Sequence, residues 1–164
     1  MKKNSLKNLY NNHLKLRSII YIVICLTFTS CSKELSPINF GKDMCDHCKM
    51  TIVDKKFGGE LVNDKGKAYK FDAIECMVEY EEEKRSDSEN EIFTLYTSYT
   101  IDILNPGELI KSDDAIFVLS ESIKSPMGGD LASYSNKTEA ENFIKENGGE
   151  LFDFKSLKEK FIKK

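Results

Sequence analysis

The 164-residue chain has no tryptophan, only three prolines and only two histidines, and it carries no excess of basic residues. With only two histidines, the sequence gives little support for a Ser–His–Asp catalytic triad. No glycine-rich stretch has the pattern of a phosphate-binding loop. The formal net charge of −3 argues against nucleic acid as a partner, because phosphate contacts need a basic surface. We therefore expect a protein that is not an enzyme and does not bind nucleic acid.

The first thirty residues predict a secretory signal peptide. Residues 1–17 carry five basic residues and no acidic one, and an apolar run follows that ends in "FTSC" at Cys31. That run has roughly ten residues, well short of the about 20 of a membrane-spanning helix. "FTSC" resembles a lipobox, so we expect Cys31 to be lipidated as the first residue of the mature protein. An ordinary signal cleaved elsewhere, or an N-terminal anchor, is the alternative.

Removal of the signal changes the count of thiols, imidazoles and charges. Cys45, Cys48 and Cys76 would be the remaining thiols, and His47 the remaining histidine. The rest of the chain holds 19 basic and 27 acidic residues, a net charge near −8. A lipid-anchored protein of the cell envelope that faces the periplasm is in an oxidising compartment, where thiols tend to pair or to be protected by a ligand. The sequence does not indicate whether the inner or the outer membrane holds the anchor.

A weak internal repeat predicts the fold. "FGGEL" at 57–61 recurs as "MGGDL" at 127–131, and each precedes a helix with a capping-box-like start, at Asp72 and at Asn136. Strand-like segments surround the helices, at 50–54, 59–71 with a turn around Asp64–Gly66, 92–97, 115–120 and 150–154. We predict an α+β domain at 43–164 with two similar ββαβ-like units, about 43–105 and 106–164, behind a signal peptide at 1–30 and a lipidated tether at 31–42.

The stretch "DMCDHCKM" at 43–50 gathers two cysteines, a histidine and two methionines. A structural zinc site is disfavoured, because it usually needs four ligands and no second cysteine pair or second histidine remains. Thiol–disulfide exchange through Cys45 and Cys48 stays open, although a thioredoxin-type pair follows a strand and opens a helix. A structural disulfide between the same two cysteines also stays open.

Copper(I) fits the sulfur content of this stretch, since thiolates and thioethers select Cu(I) over harder ions. Cys48 and Met50 are two residues apart, which places them on one side of an extended segment. Met127, in the turn-like "SPMGGD", is a third sulfur donor, with simple packing as the alternative. Further candidate metal ligands are Cys45, His47 and Cys76, the last of which could equally be a small buried apolar residue.

Two long segments carry a family resemblance. "MCDHCKMTIVDKKFGGELVNDKGKAYKFDAIECM" and "SPMGGDLASYSNKTEAENFIKENGGELFDF" resemble the NosL family, lipoproteins associated with maturation of the copper enzyme nitrous-oxide reductase. The resemblance extends from the lipobox to about residue 157. It implies that Cys48 and Met50 form the metal-binding motif, with Met127 as the later methionine. Lys49 stands where the family often has glycine.

The resemblance implies a membrane-anchored chaperone that binds Cu(I) and delivers it toward nitrous-oxide reductase or its membrane assembly machinery. This is the predicted function, and a periplasmic thiol–disulfide exchange protein using Cys45 and Cys48 is the alternative.

Overall fold

Two antiparallel sheets with helices packed on them make up the part of the chain that the computed structural model describes, residues 35–86 and 96–162. The first sheet has the strand order β2-β1-β3-β4 and the second the order β6-β5-β7. The strands are β1 Gly59–Asn63, β2 Ala68–Phe71, β3 Tyr96–Ile101, β4 Leu109–Lys111, β5 Ile116–Leu119, β6 Leu131–Tyr134 and β7 Glu150–Phe152. The helices are α1 Ile74–Ser86, α2 Lys137–Asn147 and α3 Phe154–Ile162, with a short 3-10 helix at Ser112–Asp114.

The two sheets repeat one plan, which confirms the predicted α+β fold with two ββαβ-like units. In the first sheet, β1 pairs with both β2 and β3, and α1 lies between β2 and β3 in the chain. In the second sheet, β5 pairs with both β6 and β7, and α2 lies between β6 and β7. In each unit the first strand is therefore central. The second strand pairs with one of its edges, and the strand after the helix pairs with the other edge.

The glycine pairs that suggested the repeat do not occupy equivalent positions in it. "FGGEL" leads into β1, the central first strand, whereas "MGGDL" leads into β6, the second strand. Each pair contains a glycine needed for a different close approach. A Cβ at Gly59 would lie 2.5 Å from the backbone oxygen of Tyr99, and one at Gly129 would lie 2.1 Å from Oε1 of Glu75. The alignment of the two motifs was therefore wrong, although the duplication of topology is present.

Local turn and cap signals correspond closely to the structure. The β1–β2 hairpin turns at Gly66, which has φ +79°, and the Asn63 side chain accepts hydrogen bonds from the N–H groups of Lys65 and Lys67. Helix α2 begins after Asn136, whose side-chain oxygen accepts from two N–H groups of the first turn. It ends at Gly148, which has φ +75°.

The predicted strand at 50–54 was wrong. Only one isolated bridge forms there, between Met44 and Thr51. Lys49 has φ +64°, so the chain reverses direction just before Met50 instead of continuing as an extended strand. The prediction at 92–97 falls largely outside the described residues, and β3 begins at Tyr96. The short strands β4 and β6 were not predicted.

The first turn of α1 is the most deeply buried part of the site-bearing region. Ile74 through Val78 are all buried, which includes the predicted apolar face and also Glu75 and Cys76. Cys45 and Cys76 belong to the main hydrophobic core, and Ile38 and Phe40 from the predicted tether pack against it. In residues 35–86 and 96–162 we find no helix with the length and apolar character required to cross a membrane.

Candidate metal centre

The cysteine loop, residues 43–50, is fixed at both ends by backbone hydrogen bonds. The N–H of Cys45 donates to the carbonyl of Met50 at 2.8 Å, and the N–H of Lys49 donates to the carbonyl of Cys45 at 3.1 Å. The loop is also attached to β2, because Asp46 and Lys70 exchange two hydrogen bonds of 2.7 and 2.8 Å. These contacts close the loop tightly enough to direct two cysteines toward the start of α1.

Four potential ligands converge where this loop meets α1. The Sγ atoms of Cys45, Cys48 and Cys76 and a carboxylate oxygen of Asp72 all lie within 4.8 Å of one another. The thiol of Cys48 is 3.5 Å from each carboxylate oxygen of Asp72 and donates to that group. The three cysteines of the described residues are free. The loop thus contributes Cys45 and Cys48, helix α1 contributes Cys76, and Asp72 just before the helix completes one small cluster, which we call the thiol cluster.

Burial differs sharply among the three thiols. Cys45 and Cys76 have no exposed surface, whereas Cys48 is partly exposed. The hydrogen bond from Cys76 outweighs burial and lowers the pKa of Cys45 to about 6. The same bond, together with burial, raises the pKa of Cys76. Burial raises the pKa of Cys48, and the negative charges of Cys45 and Asp72 act in the same direction.

The protonation pattern suits a cation. Three sulfur donors and a carboxylate lie within 4.8 Å of one another, and a thiol that binds a metal ion releases its proton. A soft monovalent ion needs only two to four sulfur ligands, which the cluster offers. The carboxylate also completes a four-donor set of the kind that zinc accepts. The sequence argument against zinc, that no second cysteine pair or second histidine remained, did not consider a carboxylate as the fourth donor.

The two predicted thioether ligands lie at the solvent side. Met50 is 47% exposed and Met127 is 41% exposed. Met50 follows Cys48 across the reversed backbone at Lys49, which replaces the extended geometry expected for that pair. The turn that carries Met127 packs on the first turn of α1, because the hydroxyl of Ser125 donates to Oε1 of Glu75 at 2.6 Å. The structure thus brings this turn to the helix that contains Cys76.

His47 contacts the charged side of α1. Its Nε2 lies 3.1 Å from Oε1 of Glu83, and its Nδ1 lies 3.6 Å from Oε2 of Glu79. It is not one of the four donors that converge within the described ranges. The histidine predicted as a further candidate ligand therefore joins the cysteine loop to the helix.

Sequence reasoning did not identify Asp72 as part of the site. It assigned Asp72 to the cap of α1, but that helix begins at Ile74, and the carboxylate of Asp72 contacts Cys48 instead. No local pattern marked it, because Asp72 lies outside the helix and reaches Cys48 only through the tertiary fold. Glu75 is buried beside Cys76 in the first turn of α1. Its pKa is raised by burial, which the hydrogen bond from Ser125 opposes.

These features define a small α+β domain with a buried, thiol-rich candidate metal centre. The chain belongs to the NosL family, whose model matches residues 37–162. Among solved structures, the chain is similar to the copper chaperone NosL from Shewanella denitrificans, with 26% sequence identity and a TM-score of 0.60. That similarity covers 75% of this chain and 94% of the other. A comparison with curated proteins gives no match. The predicted family is confirmed.

Proposed function

We propose that this protein is a copper chaperone that binds Cu(I) at the thiol cluster and passes it to a partner. The observation that carries the proposal is the convergence of three thiols and a carboxylate within 4.8 Å in a member of the NosL family. Soft sulfur donors favour Cu(I) over the harder ions that oxygen sites select. The similarity to a solved structure described as a copper chaperone supports copper as the ion. In this role the protein binds and transfers an ion and catalyses no reaction.

The arrangement of burial and pKa disfavours the alternative, thiol–disulfide exchange. An exchanging cysteine must be accessible and must have a low pKa, because the attacking group is an exposed thiolate. Here the low pKa belongs to Cys45, which has no exposed surface, and the partly exposed thiol of Cys48 has a raised pKa. The accessible cysteine and the cysteine with the low pKa are thus different residues. This suits metal ligands better than it suits a nucleophile, which needs both properties.

The proposed ligand set combines the buried thiols with the exposed thioethers. Cys48, Met50 and Met127 are the ligands expected from the family motif, and Cys45 and Cys76 are the buried thiols of the thiol cluster. Cys48 belongs to both groups, because it is the partly exposed member of the thiol cluster. A chaperone must exchange ligands with its partner, so a site with weakly bound, uncharged thioethers at the surface suits release of the ion.

The proposed partner and location derive from the family resemblance and the N-terminal sequence. Delivery toward nitrous-oxide reductase, or toward its membrane assembly machinery, is the role implied for NosL lipoproteins. A lipid on Cys31 would hold the domain at a membrane surface facing the periplasm; Cys31 lies outside the described residues. The negative charge of the mature chain does not suit a nucleic-acid partner.

Anaerobic titration of the reduced protein with Cu(I), in competition with a chromophoric Cu(I) chelator, tests the proposal. We expect a stoichiometric complex whose X-ray absorption spectrum is dominated by sulfur scattering. Titration with Zn²⁺ is the matched comparison and should give weaker binding. Zn²⁺ binding in the absence of Cu(I) binding, or a cysteine pair that equilibrates with glutathione and binds no copper, would contradict the proposed function.

A further inference from the structure

The Met127 turn, residues 125–130, is fastened to α1 by a buried carboxylate that the proposed metal site does not itself use. Glu75 lies in the first turn of α1 and is 5% exposed. Its Oε1 accepts the hydroxyl proton of Ser125 at 2.6 Å, and Ser125 is also buried. The hydroxyl oxygen of Ser125 in turn accepts from the N–H of Asp130 at 3.1 Å. The Glu75 carboxylate therefore binds Ser125, the first residue of the turn, and Ser125 in turn binds Asp130, the last.

The backbone of the turn is shaped around that contact. The N–H of Gly128 donates to the carbonyl of Ser125 at 3.0 Å, so Met127 lies inside a closed turn. Gly128 and Asp130 have φ of +71° and +54°. A Cβ added at Gly129 would overlap the Glu75 side chain, so glycine lets the turn approach the carboxylate closely. The turn is thus seated directly on Glu75.

The other oxygen of Glu75 is not satisfied. Oε2 is buried and has no hydrogen-bond partner among residues 35–86 and 96–162. A buried polar atom without a partner costs about 1–3 kcal/mol, so a group that only filled space here would be better replaced by an apolar side chain. The neighbour of Glu75 in the helix, Cys76, is a member of the thiol cluster.

We propose that Glu75 is a positioning residue for copper. Its hydrogen bond with Ser125 and its close contact with Gly129 fix the Met127 turn on the helix that carries Cys76. The Met127 thioether is thereby held within reach of an ion at the thiol cluster. The inference rests on the proposed Cu(I) function and extends it to a residue that is not a ligand. Met127 is exposed and would otherwise sample many side-chain and turn conformations. Fixing the turn in the apo protein removes that entropy loss from the binding step.

The test compares Ser125→Ala with the parent protein and with Met127→Ala. Ser125→Ala removes the hydroxyl that joins the turn to Glu75 and leaves all sulfur atoms in place. We expect its Cu(I) affinity, from anaerobic chelator competition, to fall about tenfold, which corresponds to about 1.4 kcal/mol. The double variant Ser125→Ala/Met127→Ala should bind no more weakly than Met127→Ala alone, because the contact acts through Met127. Copper X-ray absorption of Ser125→Ala should show a reduced sulfur contribution.

Glu75→Gln is the conservative variant, and Glu81→Gln is the matched control on the same helix. Glu75→Gln keeps an acceptor for Ser125 and should retain most of the affinity. Glu81 lies on the same helix, is 14% exposed and contacts Lys158 at 3.4 Å; its Oε2 is likewise buried and has no hydrogen-bond partner in the described part of the chain. Glu81→Gln should leave copper affinity unchanged, whatever it does to the melting temperature. Hydrogen exchange of the Gly128 and Asp130 amides in the apo protein should accelerate in Ser125→Ala and not in Glu81→Gln.

The outcomes separate this inference from the proposed function. A parent protein that binds Cu(I) tightly, with unchanged affinity in folded Ser125→Ala, overturns the positioning role alone. The same holds if Met127→Ala binds like the parent, or if the losses from Ser125→Ala and Met127→Ala simply add. A parent protein that binds no Cu(I) overturns the proposed function and this inference together. Circular dichroism and apo melting temperature establish that each variant is folded.

Discussion

Both carboxylate oxygens of Asp72 lie 3.5 Å from the Sγ of Cys48. Asp72 precedes α1, whereas Cys48 lies in the cysteine loop, so this contact joins the two segments that supply the thiol cluster. The contact is part of the fold, which places the three thiols and the Asp72 carboxylate within 4.8 Å of one another. A preorganised set of donors loses little conformational entropy when an ion enters.

The first prediction concerns Cys76, the thiol supplied by the helix. Cys76→Ser should weaken Cu(I) binding by at least about tenfold, equivalent to about 1.4 kcal/mol, because a hydroxyl is a poor ligand for a soft ion. Cys48→Ser should cause the larger loss, since Cys48 belongs to both proposed ligand groups, and Cys45→Ser should be compared with both. Chelator competition under anaerobic conditions measures all three. Full affinity in a folded Cys76→Ser protein would show that Cys76 is a core residue only.

The second prediction separates copper binding from disulfide chemistry. A thioether cannot exchange with a disulfide, so Met50 matters only if it binds the metal. Met50→Ala should lower Cu(I) affinity by about an order of magnitude, or about 1.4 kcal/mol. Met44→Ala is the matched control, because Met44 is an exposed methionine in the same loop, at 57% exposure. Equal affinities in the two variants would remove Met50 from the ligand set.

The third prediction concerns the backbone between Cys48 and Met50. Lys49 has φ +64°, a conformation that is unfavourable for residues with a Cβ and easy for glycine. Lys49 stands where the family resemblance leads us to expect glycine, which adopts this φ without strain. Lys49→Gly should raise the free energy of unfolding by up to about 1 kcal/mol, because relief of the backbone strain exceeds the added entropy of the unfolded chain. Lys49→Ala keeps the Cβ and should give no gain in urea denaturation; a gain equal to that of glycine would locate the effect in the side chain.

The fourth prediction concerns pH and the seam between the two sheets. Asp102 is 1% exposed and forms a parallel bridge with Ser133. Burial acts to raise the pKa of Asp102, but hydrogen bonds from Ser135, Asn105 and the backbone of Leu104 outweigh it, and the net pKa is lowered. A carboxylate with a lowered pKa in the folded state contributes stability above its unfolded pKa of about 3.9, and loses it as the pH falls through the folded value.

Asp102→Asn should therefore cost about 1–3 kcal/mol of unfolding free energy at pH 7, by weakening charge-assisted hydrogen bonds. The difference from the parent protein should shrink toward pH 3, as the parent loses the same contribution. Asp113→Asn, at an exposed position, is the control and should change little at either pH. Chemical denaturation at several pH values provides the measurement, and a cost that is independent of pH would contradict the electrostatic explanation.

The fifth prediction concerns the membrane anchor. Cys31→Ala should release the full-length protein from membranes into the soluble fraction, since several acyl chains provide the stable attachment. Metabolic labelling with a fatty-acid analogue should mark the parent protein and not the variant. Retention of Cys31→Ala in membranes after a carbonate wash would show that a different anchor operates.

Features governed by neighbouring residues were predictable from the sequence. Asn136 caps α2 because its own side chain reaches the next N–H groups, and Gly148 ends that helix because it adopts a positive φ without a steric penalty. The hairpin around Asp64–Gly66 follows from the same short-range chemistry. The types of residue at the site, sulfur donors around 43–50 and at Met127, were also visible, because soft ligands are chemically distinctive wherever they lie.

The sequence by itself therefore determined the class of the fold, the two ends of α2, the β1–β2 hairpin, and the donor types that suit a soft ion. Tertiary structure decided which donors meet. Cys76 and Asp72 join Cys45 and Cys48 only because β2 anchors the cysteine loop beside the start of α1, a contact between segments more than twenty residues apart. His47 contacts Glu83, and the chain reverses direction at Lys49, where a strand was expected. The two glycine pairs precede strands at different positions in their sheets. Such outcomes depend on packing across the whole domain, which pairs residues by shape and burial and leaves no periodic trace in the local sequence.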